Sequence, residues 1–189
     1  MIRINNWLYY LLAMLFLTFP LDWILSFVIS SLFHELCHIL FLKFSGGEIL
    51  KIDAHISGCI IETDRMEVWK QFMSILAGPM GSFSLLLFRR MVPKIAICGL
   101  LQGIYNLIPV LPLDGGRLLC LILNGICPKK TDRIMCYLAI AVCGTFELLT
   151  IWMTIANSLR PWPIFLVTTW SISVLSRKIP CKPLKIRVQ

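Results

Sequence analysis

Residues 23–44 form a predominantly apolar stretch of 22 residues. At 1.5 Å per residue a helix of that length covers about 33 Å, enough to cross a hydrocarbon core about 30 Å thick. Inside this stretch lies His34-Glu35-Leu36-Cys37-His38. Residues four apart on a helix share a face, so both imidazoles can grip one metal ion. Glu35 projects about 100° round the same turn, within reach of a water on that ion. A charged side chain at bilayer depth costs roughly 2.5–3.5 kcal/mol on insertion scales, so a glutamate between two histidines there needs a compensating partner. A zinc ion supplies one.

The rest of the chain repeats the apolar theme. Apolar residues make up 58% and charged residues 15%, against about 45–50% and about 25% in soluble proteins. Mean hydropathy is +0.80. The expected fold is an all-α polytopic membrane protein with about six transmembrane helices, because a bilayer tolerates backbone only when its hydrogen bonds are closed internally. The spans read as 7–19, 23–44, 72–88, 92–127, 134–159 and 161–176. The first is marginal at 13 residues; without a small-residue cleavage site it reads as a retained span rather than a signal peptide. Asp22 is placed to cap the second. Ala77-Gly78-Pro79 is expected to interrupt the third, which Arg89-Arg90 closes. Residues 48–62, β-branched and pivoting on Ser57-Gly58, read as a short β-hairpin at the membrane surface. Residues 92–127 are broken by Pro109, Pro112 and Gly115-Gly116. Non-helical backbone at membrane depth survives only where it is buried in protein or lines a wet cavity, so 106–117 is the second focus of the chain.

A net charge of +8 could suggest nucleic acid, but the basic residues lie between apolar blocks and in the tail, where they act as topology signals and meet anionic lipid. No nucleic-acid partner is expected. With both termini inside, thirteen basic residues face the cytoplasm and four the outside, which orients the chain and places the histidine motif towards the cytosolic side. Eight cysteines include no C-x-x-C pair and read as small buried residues rather than a disulfide framework. The chain is expected to be one membrane domain, 1–189, with a core at about 23–127, accessory spans at 7–19, 134–159 and 161–176, and a basic cytosolic tail, 177–189.

Two histidines do not complete a catalytic zinc site, which usually has three protein ligands and an open position. Asp114 fits the third place. It lies in Asn106-Leu107-Ile108-Pro109-Val110-Leu111-Pro112-Leu113-Asp114-Gly115-Gly116, where prolines break the helix and glycines let the backbone turn so that a carboxylate can be aimed at a neighbouring helix.

At these residues the chain resembles the site-2 protease family of intramembrane zinc metalloproteases. His34-Glu35-Leu36-Cys37-His38 matches the first motif of that family, and Asn106-x-x-Pro109-x-x-Pro112-x-Asp114-Gly115 the second. Ala77-Gly78-Pro79 is similar to the motif between them. The likeness covers roughly 23–127, the three-helix metalloprotease core, and the compact plan is most similar to the branch of the stage IV sporulation protease of spore-forming bacteria. Where the family often has asparagine after Gly78-Pro79, this chain has Ser82. Residues 45–70 leave no room for an inserted PDZ domain, which implies a minimal member regulated by other membrane proteins.

The resemblance implies one Zn²⁺ per chain on His34, His38 and Asp114. It implies Glu35 as the proton-transferring base and acid, and Asn106 as a donor to substrate backbone or to the developing oxyanion. The implied substrate is a membrane or membrane-associated protein cut in or near a transmembrane segment, in a multi-pass protein of the bacterial plasma membrane. A substrate helix must unwind to expose its carbonyls, and the 48–62 hairpin offers it an edge to join. His55 reads as an exposed loop residue, Cys37 as packing, Glu147 as a hydrogen-bonded structural acid or an interfacial one, and Arg117 as the partner of an acid or a snorkelling side chain. Two other functions are compatible with broken helices and buried acids: a transporter or channel, and a zinc-bearing scaffold without activity.

Overall fold

The computed structural model describes residues 19–46, 49–55, 58–63, 67–156 and 162–176. The elements are α1 (Leu21–Phe44), β1 (Ile49–His55), β2 (Gly58–Thr63), α2 (Val68–Ser84) with a 3-10 turn (Leu85–Phe88), α3 (Pro93–Asn106), α4 (Asp114–Ile126), α5 (Thr131–Ala156) and α6 (Trp162–Ser176). Among the described residues, three helices are long and apolar enough to cross a membrane: Leu21–Phe44, Val68–Phe88 and Thr131–Ala156. The expected span at 7–19 and the basic tail lie outside the described residues. The chain is a helical membrane protein whose compact units divide in sequence between Ile108 and Pro109.

In the first unit, α1 is inside out by the standards of a soluble protein. Ser26, Ser30, His34, His38 and Leu42 recur every fourth residue and are buried, whereas Leu25, Phe27, Ile29, Leu32, Leu36 and Leu40 are exposed. In water that arrangement would strand apolar area; in lipid it is the stable one, because polar groups must find partners inside the bundle. Asp22 does not cap α1, as no side-chain cap bond is made after Pro20. Its carboxylate instead pairs with Lys94 of α3. The helix stops at Ser45, whose N–H returns to the Phe41 carbonyl, and at Gly46, whose φ of 75° is a left-handed conformation that glycine adopts without steric cost.

The interruption expected at Ala77-Gly78-Pro79 does not occur. α2 runs unbroken from Val68 to Ser84 with Pro79 inside it and buried. Pro79 removes only the bond that its own nitrogen would have made to the Ile75 carbonyl, a loss that a membrane helix packed among neighbours tolerates. On α3, Gly99 and Gly103 stand one turn apart against α2. A Cβ on Gly103 would press on the Phe83 ring, and one on Gly99 would press on Leu85 and the Ser82 carbonyl. This small-x-x-x-small spacing lets two backbones approach where lipid gives no hydrophobic drive for association.

β1 and β2 pair antiparallel, with Ile52 opposite Ile61 and His55 opposite Gly58. These strands cover most of the segment read as a hairpin.

In the second unit the prolines act as the sequence indicates. Between α3 and α4 the chain leaves the helix over 107–113, with a cis peptide at Leu111–Pro112. The turn is closed by Leu113 N–H on the Val110 carbonyl at 2.9 Å. Gly116 is required there, since a Cβ would fall on the backbone of Val110 and Leu111. Cys120 of α4 and Met135 of α5 form a small core with Leu111, Leu119 and Leu123. Cys98 and Cys143 are free and buried, as expected for most of the cysteines, whereas Cys127 and Cys136 are free and exposed and Cys120 is disulfide-bonded. α5 and α6 pack through Phe146 and Trp170, edge to face at 5.8 Å.

Candidate metal centre

The first unit brings both motif histidines together with their supports. His34 and His38, one turn apart on α1, are 2% and 7% exposed, and their Nε2 atoms converge to 3.2 Å. Each Nδ1 is held by α2. The His38 Nδ1 lies 2.7 Å from the Ser74 carbonyl, and the His34 Nδ1 lies 2.8 Å from the Ser82 hydroxyl. Ser74, Gly78 and Ser82 are spaced four apart, so one face of α2 meets the two rings and leaves a gap between them. That gap is Gly78, where a Cβ would collide with the Nε2 atoms of both histidines.

The hydrogen bonds fix the tautomers. A carbonyl only accepts, so the His38 proton sits on Nδ1 and its Nε2 carries a lone pair. The Asn106 amide nitrogen, at the end of α3, lies 3.2 Å from the His34 Nε2. With Nδ2 as donor, that Nε2 also carries a lone pair, and Nδ1 donates to Ser82. Two imidazole lone pairs thus face one point. Zinc bound tetrahedrally at about 2.0–2.1 Å holds two nitrogens about 3.3 Å apart, so this donor pair fits the ion. A cation between the rings would also relieve the repulsion of the lone pairs.

Asp114, in the second unit, is the first residue of α4 and is buried. A carboxylate there is favoured by the partial positive charge of a helix N-terminus. Arg117, one turn on, reaches its Oδ1 at 3.7 Å, the acid partner expected for that arginine.

Ser82 is the residue that sequence reasoning undervalued. It stands where the family often has asparagine, yet it is fully buried and bonded to a motif histidine. Its position seven residues before Arg89 gave no sign of this, but its spacing of four from Gly78 could have. Cys37 packs as expected: a Cβ on Gly81 would strike its sulfur. Glu147 on α5 receives a long contact of 3.5 Å from Thr168 of α6, consistent with a structural acid. The side chain of His55 lies outside what is described.

Comparison with known proteins agrees with this reading. The model of peptidase family M50 matches residues 86–146. Over 121 residues the chain is 34% identical to a protein of Synechocystis named "Putative zinc metalloprotease sll0528". That match covers 51% of this chain and 31% of the relative, so it spans less than a third of the relative's length. The solved site-2 protease from Methanocaldococcus jannaschii has the same fold, with a TM-score of 0.66 at 19% identity over 96% of this chain and 89% of that one.

Proposed function

We propose that this chain, a relative of the site-2 protease family, is an intramembrane zinc endopeptidase that cleaves membrane-bound substrates in or near their transmembrane segments. The observation that carries the reading is the pair of buried imidazoles, lone pairs convergent and Nδ1 atoms tied to α2, in a helix facing lipid on its other sides. Asp114 is the proposed third ligand, from its place in the second motif and its buried position at the start of α4.

A zinc ion on His34, His38 and Asp114 would lower the pKa of a bound water towards about 7 and polarise a peptide carbonyl. The chain's own residues supply the remaining steps. The Glu35 carboxylate, between the two histidines, takes the proton of the attacking water and returns it to the leaving amine. The Asn106 amide turns from His34 to the substrate, donating to its backbone or to the oxygen that gains charge, where one donor is worth about 2.7–4 kcal/mol. Ser82 and the Ser74 carbonyl hold the rings in the ligating tautomer. The β1–β2 edge would receive the unwound substrate as an added strand, so proline substitutions along both strands should lower cleavage. The excess of basic residues in the loops assigned inside supports a bacterial plasma-membrane protein with this site towards the cytoplasm.

The first test is zinc per chain in detergent-purified protein. One zinc in wild type, with clear loss in Asp114→Ala, is the expected result; zinc unchanged by the substitution removes Asp114 as a ligand. Glu35→Gln should keep its zinc and lose cleavage of a co-expressed substrate, and a variant that still released product would overturn the mechanism.

A further inference from the structure

α1 and α3 meet at a second polar contact, one turn before the histidine site. The Ser30 hydroxyl, fully buried, donates to the Gln102 Oε1 at 3.0 Å. Ser30 precedes His34 by four residues and Gln102 precedes Asn106 by four. The two helices therefore run in step, with Ser30 on Gln102 and His34 on Asn106. The Ser30 bond uses the amide oxygen of Gln102 and leaves its NH2 group outside that contact. Its NH2 group then has no acceptor among the described residues. Gln102 is only partly buried, and its NH2 group is not among the sealed polar atoms, so it stays open to an acceptor from outside the fold.

We propose that Gln102 is a second substrate-binding residue. Its NH2 and that of Asn106 form a two-rung ladder that takes two backbone carbonyls of an unwound substrate. Residues four apart on a helix are separated by about 6 Å along the axis. In an extended strand alternate residues, whose carbonyls point the same way, are separated by about 6.4–6.8 Å. The rungs and the carbonyls therefore nearly match. A helical substrate cannot engage the ladder, because its carbonyls are already bonded within the helix. Gln102 thus selects the unwound form of the substrate rather than a particular side chain. The inference rests on the protease reading given above.

The alternative role for Gln102 is purely architectural, holding α3 in register against α1, and the two roles respond differently to substitution. The probe is a fluorophore-tagged single-span peptide of leucine and alanine with a central Asn-Gly pair, reconstituted with the full chain in lipid. Zinc content is measured in every variant. A donor that binds the substrate and the transition state equally shows in KM with kcat held. Gln102→Met, which removes the NH2, should raise KM at least fivefold with kcat and zinc unchanged. Gln102→Asn, which keeps a donor on a shorter stem, should recover part of that loss. Ser30→Ala, which breaks only the interhelical bond, should stay within twofold of wild type.

Equal losses in Ser30→Ala and Gln102→Met, no worse when combined, would overturn the proposal and leave a register contact. Should Gln102→Met fail to fold, Gln102→Asn against Ser30→Ala decides: a KM that rises only in the serine variant overturns the proposal. Zinc-loaded wild type that leaves the peptide and every co-expressed membrane substrate intact would overturn the protease reading, and this inference with it.

Discussion

The α1–α2–α3 trio and the α5–α6 pair use polar side chains in different ways. In the trio, Ser26 and Ser84 bond their own helices, but the polar side chains around the histidines are committed between helices: His34 to Ser82, His38 to Ser74, Ser30 to Gln102 and Asn106 to His34. In the pair they turn inward on their own helix. Thr145 bonds the Val142 carbonyl, Thr150 that of Phe146 and Thr154 that of Thr150, while Thr168 bonds Ile164. Thr168 also makes a long contact across to Glu147. A hydroxyl bonded to its own helix satisfies itself and says nothing about its neighbours. One bonded across an interface sets register, and register is what places two imidazoles and an amide on one point.

The largest expected effect breaks that interface at its narrowest place. Gly78→Ala would put a methyl group on both Nε2 atoms; overpacking of this kind costs about 1–3 kcal/mol. Purified protein should lose zinc and cleavage together, with a lower unfolding temperature in detergent. Next comes Ser82→Ala. Outer-shell partners of metal-bound histidines are worth about 10–100-fold in metal affinity, and competition with a chelator should show a loss in that range while the helices remain folded. Smaller still is Ser30→Ala as a stability change, since interhelical hydrogen bonds in membranes average about 0.6 kcal/mol. At the other end stand the threonines of α5. Thr150→Val should change neither zinc content nor cleavage and shift stability by less than about 0.5 kcal/mol. A large effect of Thr150→Val on zinc would break the contrast between the two regions.

What could be read from the sequence follows the same division. The convergence of His34 and His38 was legible because a spacing of four is a property of the helix itself. The break between Asn106 and Asp114 was legible because Pro109 and Pro112 act locally on the backbone. Asp22 was not, because its partner Lys94 is 72 residues away and a residue near a helix start reads as a cap by default. Pro79 was misread for a related reason. Its local rule predicts a break, but burial among neighbouring helices overrode it. The support of His38 could not be read at all, since it is a carbonyl that every residue type carries. Hydropathy found the three long apolar helices among the described residues and gave no hint of which face of α1 would be buried.

The two anchors of the imidazole pair also differ in what inheritance can do to them. The contact to Ser82 is written in one codon, and a single change of that side chain can erase it. The contact to residue 74 is made by main chain, so any residue that keeps α2 helical keeps the bond. Over generations of substitution the His38 half of the site is sheltered from drift, and the His34 half has to be maintained by selection on its partner.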